Sequence, residues 1–337
     1  MICVVQVLFQ CLSTAMIGFG LNSANYGGDF SHSIGFNGVM GVCSFFSLVI
    51  IPISWFCMTE GKYERQSARA YFRMLYDLVQ QRVVYQIIAF RFFRNLFSWF
   101  SVTAAYPIQS QWAKVTTVNN STATIIGYLV AAASYYATAK FGLNWSWRSM
   151  LAVTQVAVIV VDCIPTFLTI WDVYRAQWFW LGGPIVEYLP NSIGVVVSSY
   201  AVIEIIEAGN EAAVYGLITT VSTLASPFST VLTKNVDANF DIEFADLQRD
   251  DQRVRNQVTY AYLIAYGFNL FSLVFLFLLP RQKAETQELK HTGGKSKLLG
   301  NITVFYLVFT FCWSLMTNMM TFSSKTSCLK IAGGSGC

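Results

Sequence analysis

Residues 36–58 read FNGVMGVCSFFSLVIIPISWFCM, twenty-three residues without one Asp, Glu, Lys or Arg. A helix needs about 20 predominantly apolar residues to cross the hydrocarbon core of a bilayer, and this run meets that length with no charge to hide. Eight more windows of the same kind surround it, at about 1–21, 84–106, 121–139, 149–171, 181–203, 212–233, 257–279 and 299–321. Only two of them hold charges away from their ends: Arg91 and Arg94 in the window 84–106, and Asp162 in 149–171, while Glu187 lies close to the start of 181–203. In lipid, every backbone polar group must be satisfied internally, so spanning segments are helices or closed barrels, and runs this continuous lack the alternation of barrel strands. The sequence predicts an all-α fold, a polytopic transmembrane helical bundle of about nine spanning helices in a multi-pass integral membrane protein.

Composition supports the same solvent. Of 337 residues, 55% are hydrophobic and 12% charged, against about 25% charged in an ordinary soluble domain. The mean hydropathy is +0.48, and 16% of the residues are aromatic, the composition expected where Trp and Tyr anchor helix ends at headgroups. The net charge of +4 comes from basic residues scattered over short connections. They form no basic domain, so a nucleic-acid role is excluded. Six cysteines (Cys3, Cys11, Cys43, Cys57, Cys163 and Cys312) fall in apolar segments, where a thiol behaves as a small hydrophobe. Cys328 and Cys337 flank a Gly-rich tail and can pair in an oxidising space. His32 and His291 are the only histidines, too few for a histidine-held metal or a His-based triad. No phosphate-binding loop, carboxylate pair with catalytic spacing or metal-ligand cluster stands out, so no cofactor, no metal and no enzyme activity is expected.

Lys and Arg set the expected orientation. The loop 59–83 carries Lys62, Arg65, Arg69, Arg73 and Arg82, and the loop 280–298 carries Arg281, Lys283, Lys290, Lys295 and Lys297. With Lys140 and Arg148, one side holds 12 basic residues and the other holds 8, so the richer side is read as cytosolic. Within 59–83, Tyr71, Met74, Leu75 and Leu78 recur at helical spacing, with Arg65, Arg69 and Arg73 on another face. That pattern suits an interfacial amphipathic helix or a solvated, partly helical linker. No Lys or Arg precedes Lys62, so the first window lacks the basic start of a signal peptide and reads as a spanning helix. A chain that opens inside such a helix is expected to continue a longer one.

Four stretches carry a family likeness: KFGLNWSWR at 140–148, LTIWDVYRAQWFWLG at 168–182, VIEIIEAGNEAAVYGLITTVSTLASPF at 202–228 and CLKIAGGSGC at 328–337. With a central loop followed by six helices, one further helix and a short tail, the chain resembles the folate-biopterin transporter family of the major facilitator superfamily, in its protist branch. The resemblance implies a major facilitator-like bundle. In it, 1–58 are the last two helices of an incomplete N-terminal half, 59–83 a cytosolic amphipathic central loop, and 84–279 a six-helix C-terminal half. A basic cytosolic loop (280–298), an extra transmembrane helix (299–321) and a Gly/Cys tail (322–337) complete it. The implied function is secondary-active transport, or part of it, of an organic anion of folate or pterin type, with a proton as candidate coupling ion. The family's Asp-rich substrate motif belongs to helices that precede those present, so no residue here takes that role, and the chain alone is expected not to transport. The alternative is a non-transporting receptor or scaffold, or an inactive truncated paralogue.

Several residues are candidates for substrate binding or coupling. Arg91 and Arg94, at i and i+3, share a helix face. Either they look into the bundle, where guanidinium groups bind carboxylates and planar rings, or the helix begins near Phe92 and both snorkel to headgroups. Asp162 is a proton-coupling, substrate or ion-pair candidate, or else a hydrogen-bonding partner of a neighbouring helix, helped by Pro165. Glu204 and Glu207 are gate or proton-site candidates at the end of one helix. Gly209, Asn210 and Glu211 look like the family's acidic, Gly-containing turn, in which Asn210 and Glu211 would also cap and charge the next helix start. Lys140, Gly142 and Arg148 resemble a degenerate basic loop motif of major facilitator proteins. Its Gly would permit a tight turn and its cations would meet helix C-terminal carbonyls or a facing acid, as a gate or as a topology signal.

Overall fold

The computed structural model describes residues 2–24, 28, 30–57, 67–206, 211–323, 325–334 and 336. Among them the chain is helical throughout, with two isolated β-bridges and no strand. The helices are α1 (Ile2–Gly20), α2 (Gly35–Cys57), α3 (Ala68–Val79), α4 (Arg82–Ser98), α5 (Ala105–Gln111), α6 (Thr117–Phe141), α7 (Trp147–Ile170), α8 (Gln177–Ile205), α9 (Glu211–Asp237), α10 (Phe244–Leu247), α11 (Gln252–Phe271), α12 (Lys283–Thr292) and α13 (Lys297–Met320). A 3₁₀ stretch, Ser272–Leu278, extends α11.

Six of these elements are long and apolar enough to cross a membrane: α1, α2, α7, α8, α11 with its extension, and α13. The other three apolar windows form α4, α6 and α9, which are more polar. Of the three, α4 is the most enclosed, while α6 and α9 each bury one face and expose another. Val83, Val84, Ile87, Ile88, Phe90 and Phe92 of α4 are buried, as are Ala213, Val214, Ile218, Val221 and Ala225 of α9. A helix surrounded by helices meets protein rather than lipid, and can carry Arg, Ser and Thr that a lipid-facing helix could not. By contrast α2 buries only Val39 among its residues, and its Phe45, Phe46, Ile50, Ile51, Trp55 and Phe56 point outward.

Contacts between connections show that successive long helices alternate in direction. At one end, here the lower, Arg82 N donates to Gly294 O and Ser296 N to Gln80 O, and Gln81 pairs with Lys295 in an antiparallel bridge. Trp147 N donates to Arg281 O at the same end. At the upper end Ser101 N donates to Thr233 Oγ1, Thr103 N and Oγ1 donate to Asp237 Oδ2 (2.7 and 2.8 Å), and Asn235 Nδ2 donates to Lys330 O. The segments expected at 59–83 and 280–298 thus meet at one end so far as they are described. The C-terminal tail meets α9 at the other. Cys328 is disulfide-bonded, and Cys337 lies outside the described residues.

Two expectations change. The window 84–106 is not one helix: α4 stops at Ser98 because Ser101 and Thr103 bond to the end of α9, which draws the backbone sideways. The stretch 280–298 is not merely a basic loop, since α12 occupies ten residues of it. With few apolar residues in α12, only Thr286 is fully buried and Leu289 packs against the lower core, too weak a pattern to announce a helix in the sequence. The amphipathic reading of 59–83 takes form as α3, with Ser67 as its N-cap and Leu78 and Val79 buried, whereas 58–66 lie outside the described residues.

Two apolar clusters hold the bundle, one toward each end. The lower joins Val84, Ile87, Leu151, Val197, Ile205 and Val214 from α4, α7, α8 and α9. The upper joins Phe100, Ile108, Trp112, Ile170, Leu181, Leu247 and Val258. Small residues let neighbouring helices touch where side chains would separate them. A Cβ at Gly127 of α6 would collide with the Tyr188 ring of α8, and one at Gly183 of α8 would lie 2.8 Å from Pro165 Cγ of α7.

Cysteines placed at Gln81 and Lys295, in a background without the six free thiols, should close a disulfide on mild oxidation, because opposed bridge residues lie within Cα–Cα reach of such a bond. No cross-link, together with labelling of the two positions from opposite sides of a vesicle, would overturn this packing.

Candidate functional site

The charged residues at depth fall between the two apolar clusters. Along α4, Arg94 follows Phe92 of the lower cluster and precedes Phe100 of the upper; Asp162 lies between Leu151 and Ile170, and Glu187 between Leu181 and Val197. At 1.5 Å per residue, Arg91 and Arg94 stand roughly 13 and 18 Å along α4 from its start at Arg82. A helix start near Phe92 is therefore overturned. The backbone is already helical from Arg82 because Gly294 and Lys295 anchor it there.

Both guanidinium groups look into the bundle. Arg91 Nη2 donates to Ser198 O of α8 at 2.8 Å, and the side chain lies within electrostatic reach of Tyr215 on α9 and of Arg94. The Nε atoms of both arginines are buried without an acceptor, and neither residue forms an ion pair among the described residues. Nearby, Asn95 Nδ2 donates to Ser222 O, and the hydroxyls of Ser198 and Tyr306 are buried without partners. Two adjacent cations with unused donors form an anion-receptive surface.

Asp162 is held from two sides. Tyr266 of α11 donates to its Oδ2 at 2.8 Å, and Thr166, one turn along α7, donates to Oδ1 at 3.3 Å. Glu187 of α8 lies within electrostatic reach of Asp162, and its Oε1 is buried without a partner. Glu187, Tyr262 and Tyr266 were not singled out in the sequence. The spacing of Tyr262 and Tyr266, at i and i+4, is a signal that could have found the last two, but aromatic pairs at that spacing commonly serve packing.

The remaining candidates lie at the lower end. Glu204, in the last turn of α8, accepts from Gln287 and pairs with Lys283 Nζ at 3.4 Å, which ties α8 to α12. Glu207, Gly209 and Asn210 lie outside the described residues. Glu211 opens α9, where a negative charge favours the helix dipole. Lys140 sits in the last turn of α6 over the Phe141 ring. Arg148 donates to Leu279 O and Phe277 O, the terminal carbonyls of the α11 extension, and lies 3.7 Å from Glu285. Gly142 opens the tight 3₁₀ turn Gly142–Asn144, with a φ of −87° that suits any residue. What favours glycine there is space, since a Cβ would lie 3.0 Å from Thr138 Cγ2 and 3.2 Å from the Trp145 ring.

At the upper end stands a network absent from the sequence reading. Arg175 grips Asp250 with both Nη atoms (2.5 and 2.8 Å) and donates Nε to Thr169 O, while its guanidinium lies over Trp112. Arg255 bonds Asp250 and Asp172. Lys114, Asp172 and Asp250, the three non-glycine residues with positive φ among those described, all border this network. The chain matches no family model, and no curated protein and no solved structure matches it either.

The hydrogen bonds from Arg175 hold the Asp250 carboxyl below the usual carboxylate range, against an opposing effect of burial, with Arg255 adding to the lowering. A depressed folded value contributes stability that is present above the unfolded pKa, near 3.9, and is lost as pH falls through the folded one. Asp250→Asn keeps a residue that tolerates positive φ, so it should lower the apparent melting temperature at neutral pH, by about 1 kcal/mol of stability. The difference from wild type should shrink in thermal melts as pH falls below about 4. A difference that persists unchanged at acid pH would show that charge is not its cause.

Proposed function

We propose that this chain forms the solute-binding part of a secondary transporter of major facilitator type, with about nine spanning helices, whose solute is a small organic anion of folate or pterin class. The carrying observation is the pair Arg91 and Arg94: two cations at mid-height in the bundle, on one face of a shielded helix, with buried donors and no described carboxylate against them. Cations at that depth cost roughly 2.5 to 3.5 kcal/mol each on insertion scales, so they persist where a partner or cavity water meets them. A carboxylate-bearing solute with a planar ring matches what guanidinium groups offer, bidentate hydrogen bonds and a stacking face.

Three further features support the reading. The alternation of helix directions accommodates nine crossings. The sequence stretches that resemble folate-biopterin transporters include the start of α8 and most of α9, and Tyr215, in the α9 stretch, lies within electrostatic reach of Arg91. Along the other face of the bundle α1, which the resemblance assigns to the partner half, packs against α6, with Gly18 against Ser121 and Cys11 near Ile125 O. In this architecture solute sits between halves that rock against each other.

The test is equilibrium binding of tritiated folate to the purified chain in nanodiscs. Saturable binding is expected, competed by organic anions and not by neutral pterin analogues. Arg91→Lys and Arg94→Lys should each weaken it roughly tenfold or more, because Lys keeps the charge but loses the planar fork. Absence of saturable binding for any member of a panel of organic anions would sink the proposal in favour of a receptor or scaffold that uses the bundle as an anchor.

A further inference from the structure

The same short pattern occurs on two antiparallel, packed helices: Asp162-Cys-Ile-Pro165 on α7 and Glu187-Tyr-Leu-Pro190 on α8. Proline has no N–H, so each one leaves unbonded the carbonyl four residues earlier, that of Val161 and of Val186. Each freed carbonyl belongs to the residue just before a carboxylate. Gly183 brings the two turns together, for a Cβ there would meet Pro165 on one side and lie 3.9 Å from Glu187 Oε1 on the other.

The carboxylates are short of positive charge. Neither is in an ion pair among the described residues. The titratable groups facing them are Cys163 on α7, Tyr188 on α8 with Tyr128 of α6 and Cys11 of α1 near it, and Tyr262 and Tyr266 on α11; Asp237 of α9 acts on Tyr262 from beyond. All are neutral or acidic. Tyr262 is only 6% exposed, lies within electrostatic reach of both carboxylates, and its hydroxyl has no hydrogen-bond partner among the described residues. The buried Glu187 Oε1 without a partner, the Tyr262 hydroxyl within electrostatic reach of both carboxylates, and two carbonyls that lack their in-helix donor make this part of the α7, α8 and α11 packing rich in oxygen.

We propose that Asp162 and Glu187, with Tyr262 beside them and Tyr266 orienting Asp162, form an intramembrane binding site for one monovalent cation, a proton or Na⁺. Two like charges in a low-dielectric interior cannot both stand uncompensated, and oxygen ligands from carboxylates and interrupted helices are what a hard monovalent cation takes up. The site deepens the transport reading by supplying a coupling ion, yet its occupancy is measurable without any solute. Failure of folate binding and failure of cation binding are separate results.

The experiment is infrared difference spectroscopy of the full chain in liposomes, with pH steps at fixed salt and with NaCl exchanged for N-methylglucamine chloride at fixed pH. A carboxyl band that responds to pH and not to Na⁺ supports the site with a proton in it. A carboxylate band that shifts with Na⁺ at fixed pH supports it with Na⁺. Either response should be lost in the Asp162→Asn/Glu187→Gln double variant, and Tyr262→Phe, which keeps both carboxylates and the ring, should weaken the apparent cation affinity roughly tenfold. No response to either ion in the folded wild type, or a response kept by the double variant, would overturn the proposal. If the double variant does not fold, an unchanged affinity in Tyr262→Phe overturns it.

Discussion

A charge moved from water into hydrocarbon loses its hydration, and the loss must be met by a partner, a water-filled space or neutralisation. Arg91, Arg94, Asp162 and Glu187 impose that requirement at mid-height in this bundle, and much of the helix arrangement follows from it. The helix that carries both arginines is shielded on several sides, with α8, α9 and the α11 extension around it. The carboxylates occupy a different place, between α7, α8 and α11, where Tyr266 and Thr166 supply donors. An ion pair between the two sets would satisfy both, but the fold keeps them apart. Ser198, the contact of Arg91, lies eleven residues beyond Glu187 on α8, roughly 16 Å along the axis.

The two ends of the bundle are closed by different means. Below, helices are tied by backbone and charge together: Gln80 and Arg82 bond to Ser296 and Gly294, Arg148 caps the end of the α11 extension, and Glu204 holds α12 through Gln287 and Lys283. Above, the connections after α7 and before α11 are joined by the Arg175, Asp250, Arg255 and Asp172 network. Isolated exposed ion pairs contribute little, whereas a bidentate pair in a network contributes more. The positive φ values of Lys114, Asp172 and Asp250 are tolerated because several bonds over-determine the backbone beside them.

Much of this architecture was legible along the chain, for a reason specific to lipid. Each of the nine apolar windows contains or overlaps one long helix, and six of these helices are long and apolar enough to cross a membrane, where a segment must bond its own backbone whatever its neighbours do. Where lipid does not set the rule, reading along the chain fell short. The end of α4 at Ser98 depends on Thr233 and Asp237, more than a hundred residues away. The docking of α12 depends on Glu204 and on the lower core.

The sequence by itself determined the helical class, the placement of the apolar windows and the position of Arg91, Arg94 and Asp162 within them, since each follows from local composition. Only the tertiary structure decided what those residues face. Glu187 looked like a residue near a helix start until α8 proved to begin at Gln177, ten residues earlier, and to lie against α7. Tyr262 and Tyr266 looked like ordinary aromatic residues until α11 brought them to Asp162. Arg175 and Asp250, 75 residues apart, form a bidentate pair that no spacing encodes. Partnership between side chains is set by helix packing and rotation, and these are properties of the whole bundle rather than of any one window.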